Sequence, residues 1–258
     1  MDLGLAGKMA IVCASSRGLG KGCALALARE GAGVILNGRD AAVLEAARDE
    51  ISRETGAKVV AVLADVSTRA GQDALLAACP TPDILVNNNG GPPLRDFREL
   101  DRAAMIDGAI QNMITPIELI QRVVPGMIEK RFGRIIDITS SSAKAPILGL
   151  DLSSAARAGL AAFMAGPARD LAQHNITVNH ILPGMFDTDR LRHSTRRMAS
   201  LQKKDEEEMA SQRRASVPAR RFGTPDELGA LCAFLCSMQA AYITGQSILI
   251  DGGAFNAV

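Results

Sequence analysis

The chain has 258 residues, of which 47% are hydrophobic and 22% charged, with 29 Lys and Arg against 28 Asp and Glu. That is the composition of a globular chain with a large core, and it excludes a disordered or fibrous one. A net charge of +1 and only 3% aromatic residues give no basic footprint and no stacking surface, so neither nucleic acid nor an anionic membrane is expected as a partner.

The first twenty residues, "MDLGLAGKMAIVCASSRGLG", carry an acid at position 2 and an apolar run too short for a signal core. No run approaches the length of a membrane span. The five cysteines (13, 23, 79, 232, 236) form no C-x-x-C pair. They predict reduced thiols in a cytoplasmic chain, with Cys232 and Cys236 on one buried helix face. No His–Cys cluster has ligand spacing, so no metal site is expected.

In chain order, strands are predicted at 9–14, 34–37, 59–64, 83–88, 134–139, 176–182 and 246–250. Their near-continuous apolar character predicts burial on both faces, as in a parallel sheet. Helical patterns fill 18–31, 40–55, 68–78, 99–130 and 151–173. This alternation predicts an α/β, Rossmann-like doubly wound fold: a mostly parallel, seven-stranded sheet with helices on both faces. No linker or repeat divides 1–258, so one domain is expected. Within 99–130, Pro116 removes a ladder hydrogen bond and predicts a kink near Asn112. The charged stretch 187–217 predicts an exposed helical excursion or lid.

Between the first strand and first helix lies "CASSRGLGKG". Gly18 and Gly20 let backbone approach a phosphate, and free N–H groups at the helix start face the anion. A Walker loop is excluded because Gly22 follows Gly20–Lys21. About 20 residues on, "NGRD" offers Arg39, which with Arg17 forms a clamp for a 2′-phosphate, while Asp40 caps the next helix. NADP(H) is therefore favoured over NAD(H).

These residues resemble the short-chain dehydrogenase/reductase family over nearly the whole chain. "CASSRGLG" is similar to its Thr-Gly-x-x-x-Gly-x-Gly loop, with Cys13 and Ala14 replacing the first two residues. "ADV" (64–66) is similar to the segment whose Asp contacts adenine, "NNNG" (87–90) to Asn-Asn-Ala-Gly, and "PGMFDT" to the turn that holds the nicotinamide. "RFGTPDELGALCAFLCS…YITGQSILIDGG" matches the C-terminal signature, which also absorbs the only tyrosine, Tyr242. The resemblance is closest to 3-oxoacyl-carrier-protein reductases. It implies cofactor contacts from Ala14, Ser16, Arg17, Gly18, Leu19, Gly20, Arg39, Asp65, Val66, Asn88, Gly90, Arg157, Pro183, Gly184, Phe186 and Thr188. It also implies a small-molecule substrate and a homotetramer or homodimer.

In that family a serine after the fifth strand is followed 13 residues later by tyrosine, and four residues after that by lysine. Ser140 occupies the first position, but Ser153 and Arg157 stand in the other two. Asn112 resembles the asparagine of the helix kink. The catalytic residues implied are thus Asn112, Ser140, Ser153 and Arg157, with the phenol acid and its lysine partner gone.

Three functions fit. The chain is a divergent NADP(H)-dependent oxidoreductase in which Ser140, Asn112, Arg157 and a water replace the usual proton relay. Or it is a catalytically impaired NADP(H)-binding homologue, a sensor or partner subunit. Or it is a lyase like the halide-eliminating relatives, a reading opposed by the intact "PGMFDT". Lys144 points to the vacated site or to the surface. Asp151 is expected to cap its helix, and His174 and His180 to be structural. The "GGPP" of 90–93 is expected to shape a rigid loop beside the nicotinamide. Arg190, Arg192, Arg196 and Arg197 form either a solvated face or a greeting for an acidic or thioester-linked substrate.

Overall fold

The computed structural model describes residues 1–92 and 94–256. Seven strands form one sheet: β1 Met9–Val12, β2 Gly33–Gly38, β3 Val59–Leu63, β4 Ile84–Asn87, β5 Gly133–Ile138, β6 Ile176–Pro183 and β7 Ser247–Ile250. The order is β3-β2-β1-β4-β5-β6-β7, and every neighbouring pair is parallel. The sheet is therefore wholly parallel, where the sequence predicted mostly parallel. Parallel neighbours need a crossover that packs on a face, and the helices supply it.

Those helices are α1 Gly18–Arg29, α2 Ala41–Thr55, α3 Arg69–Ala78, α4 Arg102–Ala109, α5 Thr115–Lys130, α6 Asp151–Leu171, α7 Asp189–Gln202, α8 Glu206–Ser216 and α9 Pro225–Cys236. Strand alternation sends Val12, Leu36, Val86 and Ile136 to a core shared with Cys23 and Leu27 of α1, Leu44 of α2 and Leu228 of α9. The neighbouring residues Ile11, Ile35, Leu85 and Ile135 point the other way, to Leu75 of α3, Leu119 of α5 and Leu160 of α6. Each fully buried aliphatic side chain contributes about 1.5–3 kcal/mol, so two such layers hold the sheet from both sides.

The predicted 99–130 helix is three pieces. Between α4 and α5 lies a π-helical turn, Ile110–Ile114, and Pro116 stands in the first turn of α5. A proline lacking its N–H is tolerated at a helix start, and the wide turn absorbs the register change upstream. The 187–217 excursion becomes α7 and α8. Among the described residues no helix is long and apolar enough to cross a membrane.

All five cysteines are buried and unpaired. Burial pushes the Cys13 thiol up to about 12. Cys232 also rises, chiefly through its hydrogen bond with Cys23, and burial raises Cys236. They pack as small apolar groups, which for Cys232 and Cys236 is what the sequence predicts.

Sheet order reverses between β1 and β4, because β1's chain leaves toward β2 on one side while β4 continues toward β5 on the other. A crevice opens at the carboxyl ends of these two strands, the place where open α/β sheets take ligands. The loop after β1 and the "NNNG" loop after β4 flank it.

Ala14 opens the first of these loops with φ at +43°. Its N–H donates to Asn37 Oδ1 at 3.2 Å and its carbonyl accepts from Asn88 Nδ2 at 3.1 Å, so surrounding bonds hold a conformation that a Cβ disfavours. The left-handed region costs a residue with a Cβ about 1–2 kcal/mol. A glycine there would remove that strain but gain about 0.5–1 kcal/mol of unfolded-state entropy. Ala14→Gly is therefore expected to raise Tm by about 1–3 °C, measured by calorimetry. A lowered Tm would show that the loop carries no strain.

Candidate active site

The glycine loop is built for an anion. Helix α1 starts at Arg17 with no side-chain cap, whereas Asp40, Thr68, Thr188 and Thr224 cap α2, α3, α7 and α9. The free N–H groups at the start of α1 thus face outward beside Gly18, in the arrangement that binds phosphate oxygens. At Gly20 a Cβ would collide with the Ala14 carbonyl and come within 2.8 Å of Asn88 Nδ2, so only glycine lets α1 approach the sheet this closely. Asn88 ties this loop to the one after β4. Ser16 and Leu19 are half-buried on the same turn, Gly90 is exposed in the loop after β4, and Gly184 is half-buried just after β6.

At the far end of the crevice, Arg17 lies 3.8 Å from Asp40 and Arg39 lies 3.7 Å from Asp65. Both arginines are more than half exposed, and such long, solvated pairs contribute little to stability. Their guanidinium groups stay available for a phosphate. Asp65 accepts from Ser67 N at 3.0 Å and Ser67 Oγ at 2.5 Å. These bonds, with the Arg39 charge, hold its carboxyl below the usual range. Val66 is buried beside it. The residues present therefore fit a dinucleotide carrying a 2′-phosphate.

On the other side of the crevice, Pro183 ends β6, and Phe186 is buried and bridges to Gly223. Thr188 Oγ1 accepts from Leu191 N at 3.3 Å, which anchors α7. A Cβ at Gly18 would sit 3.6 Å from Thr188 Cγ2, so this turn reaches across to the glycine loop.

Ser140 lies just beyond β5. Its Oγ accepts from Ser142 N at 3.1 Å and from Ser142 Oγ at 2.9 Å. Ser153 and Arg157 stand one turn apart on α6, and Arg157 Nε donates to Ser153 Oγ at 3.1 Å. Here too the hydroxyl oxygen accepts within the protein.

The resemblance implies a cofactor contact from Arg157, and the structure shows what holds the side chain. Arg157 Nη1 donates to the Ile138 carbonyl at 2.6 Å and the Thr139 carbonyl at 3.0 Å. The carbonyl of Ile138, the last residue of β5, and that of Thr139 just beyond it thus anchor the side chain inward. Arg157 is only 8% exposed. Burial, with the charge of Arg190 second, pushes its pKa down to about 10, so it stays a cation at neutral pH.

Behind these groups is a cavity of about 20 Å³ lined by Asn87, Asn112, Thr115, Asp137 and Arg157. That volume matches a single water molecule. Asn112 sits in the π-helical turn, and its Oδ1, with Asn87 Oδ1 and Thr115 Oγ1, is buried without a protein partner.

Sequence reasoning overlooked the floor of this cavity. Asn87, Asp137 and His180 stand opposite one another on β4, β5 and β6. Asp137 accepts from Asn87 Nδ2 at 2.8 Å, and its other oxygen lies 3.1 Å from His180 Nδ1. The available signal was two polar residues at matching places in otherwise apolar strands, "RIIDIT" and "VNHIL". Asp137→Ala leaves Asn87 and His180 without their buried partner and is expected to cost about 3 kcal/mol in denaturant unfolding. A loss below about 1 kcal/mol would show that packing alone holds the row.

Other sequence-based expectations divide. Asp40 caps α2 through Val43 N, as predicted. Asp151 does not cap α6: the N-cap is Leu150, and Asp151 instead accepts from Gly149 N at 3.2 Å. Lys144 is exposed and His174 half-buried, and Tyr242 lies fully on the surface. Pro93, part of the predicted rigid loop, lies outside the described residues. Among the arginines of the 187–217 stretch, Arg192 pairs with Asp187 and Asp189, and Arg196 with Glu206. Among the described residues no His/Cys/Asp/Glu group could hold a metal ion.

Comparison with known proteins agrees with this geometry. A family model described as enoyl-(acyl carrier protein) reductase matches residues 13–254. The NADPH-dependent reductase BacG of Bacillus subtilis is 32% identical over 97% of this chain and 99% of its own length. The 3-oxoacyl-[acyl-carrier-protein] reductase FabG of Aquifex aeolicus is 31% identical over 99% of this chain and 100% of its own. The crystal structure of L-sorbose reductase from Gluconobacter frateurii, complexed with NADPH and L-sorbose, superposes with a TM-score of 0.95 at 29% identity, covering 100% of both chains. A switch-point crevice, an uncapped glycine-loop helix and full-length similarity of this kind have one common explanation: the chain belongs to the short-chain dehydrogenase/reductase family.

Proposed function

We propose that this protein is an NADPH-dependent reductase that interconverts a carbonyl and an alcohol with an altered proton-donating centre. The observation that carries this reading is the pair of serine hydroxyls, each held by an N–H donor, Ser140 by Ser142 N and Ser153 by Arg157 Nε. Relatives named as NADPH-dependent reductases support the cofactor, as does the Arg17/Arg39 pair. Gly18, Leu19 and Gly20 would hold the diphosphate, Arg17 and Arg39 the 2′-phosphate, Asp65 and Val66 the adenine, and Asn88, Gly90 and the 183–188 turn the nicotinamide half. When bound, NADPH supplies the hydride.

The remaining chemistry falls to this chain's own side chains. As a carbonyl oxygen gains negative charge, Ser140 O–H donates to it and stabilises the developing oxyanion. Ser153 O–H does the same from α6, while Arg157 holds its oxygen and adds a buried positive charge. Arginine does not exchange protons, so the proton that ends on the product comes from water that Ser153 and Ser140 orient. Loss of a positioned acid lowers a rate by about 10²–10⁴-fold, so slow turnover is expected. The α7–α8 pair serves as a substrate lid on a single 1–258 domain. Exposed apolar side chains on α4 and α6, Met105, Ile106 and Phe163, support a homotetramer or homodimer.

The test is a titration of the protein with NADPH and NADH by nicotinamide fluorescence, followed by consumption of NADPH with carbonyl substrates. Selective NADPH binding with turnover bears the reading out. Selective binding without turnover on any carbonyl favours the impaired sensor or partner subunit, and binding of neither cofactor sinks both.

A further inference from the structure

Two arginines at this site have no acid. Among the described residues, Arg157 and Arg190 form no ion pair within 4.0 Å, while their neighbours Arg192 and Arg196 are paired. Arg190 lies in the first turn of α7. The residue as a whole is exposed, but its guanidinium packs against the loop after β4: a Cβ at Gly91 would lie 2.5 Å from Nη2 and 2.7 Å from Nη1. Its one polar protein contact among the described residues is a long one, Nη2 to the Pro92 carbonyl at 3.4 Å. This contact bridges α7 to the β4 loop at the mouth of the crevice. Desolvation there lowers the Arg190 pKa, and the Arg190 charge in turn lowers that of Arg157. Both are cations, and neither has an acidic partner within 4.0 Å among the described residues.

Like charges brought together out of water are unfavourable unless an anion joins them. A guanidinium is the group suited to clasp a carboxylate through two parallel bonds. We propose that Arg190, in the field of Arg157, is an anion-recognition residue of the substrate site, and that the substrate is a carbonyl compound bearing a carboxylate near the reacting carbon. This rests on the reductase reading above. The lining of the crevice supplies specificity of a kind that Ser140 and Ser153 cannot, since hydroxyls recognise any carbonyl oxygen.

The probes are oxamate and 2-oxooctanoate, with their neutral counterparts oxamide and methyl 2-oxooctanoate, titrated calorimetrically into NADPH-loaded protein. Wild type is expected to bind at least one carboxylate about 10–100-fold more tightly than its neutral counterpart, the scale of a charge-assisted bond. Arg190→Gln should abolish that preference while leaving NADPH affinity within about threefold, and Arg190→Lys should restore part of it. Equal affinity for charged and neutral probes in wild type overturns the proposal. So does an Arg190→Gln variant that keeps the preference. If that variant instead loses NADPH affinity as strongly, the anion is the cofactor's diphosphate, which also overturns it. Failure of wild type to bind NADPH at all is a different result, because it removes the reductase reading itself.

Discussion

Replacing Arg17 and Arg39 together with alanine is expected to weaken NADPH binding by about 100–1000-fold and to leave NADH within about threefold. Each guanidinium loses a charge-assisted contact worth about 1.5–3 kcal/mol, and about 1.4 kcal/mol is a tenfold change in affinity. Both side chains are largely solvated and sit 3.8 Å and 3.7 Å from Asp40 and Asp65, so their removal leaves no buried charge. Little change in fold stability should follow. The preference for NADPH should also shrink as salt is raised, because exposed charges are screened. Equal losses for the two cofactors would mean that the arginines serve the diphosphate or the fold and do not read the 2′-phosphate.

Ser140→Ala and Arg157→Ala are each expected to lower turnover by about 10²–10³-fold at saturating NADPH, the scale of removing one oxyanion donor. The two act differently. Without Ser140 the carbonyl loses a direct donor, and the KM for substrate should change little. Without Arg157, Ser153 loses the group that occupies its oxygen at 3.1 Å, and two β5 carbonyls lose their donor, so stability falls as well. Arg157→Lys separates these effects, since it keeps the charge while giving up the planar fork. Turnover unchanged in Ser140→Ala would remove the serine from the chemistry. An unchanged rate in both alanine variants would leave the altered centre without a role.

Most of the fold was legible along the chain because its signals are local. Apolar runs such as "VVAVLA" mark strands, and Gly18 and Gly20 at a strand–helix junction mark the phosphate loop. Pro116 pointed to a kink at Asn112, although not to its π-helical form. Strand boundaries shifted by one or two residues, as at β1, where Cys13 and Ala14 leave the ladder to begin the glycine loop.

For the candidate site, spacing named residues but not their directions. Spacing placed Ser153 and Arg157 on one face of α6, four residues apart and so within reach of each other. It could not show that Arg157 would turn inward, because the carbonyls of Ile138 and Thr139 that draw it there come from a strand distant in sequence. Nor could it show the row of Asn87, Asp137 and His180, whose members meet only when β4, β5 and β6 align. Arg190 was one of four similar lid arginines in the sequence. Packing against Gly91 distinguishes it.

The sequence by itself thus determined the elements and the glycine loop, since each is a matter of residue type and local spacing. Tertiary structure alone decided where the charges face. Burial and hydrogen-bond partners come from residues far apart in the chain, and these set the orientation of Arg157, the cavity behind Asn112 and the isolation of Arg190.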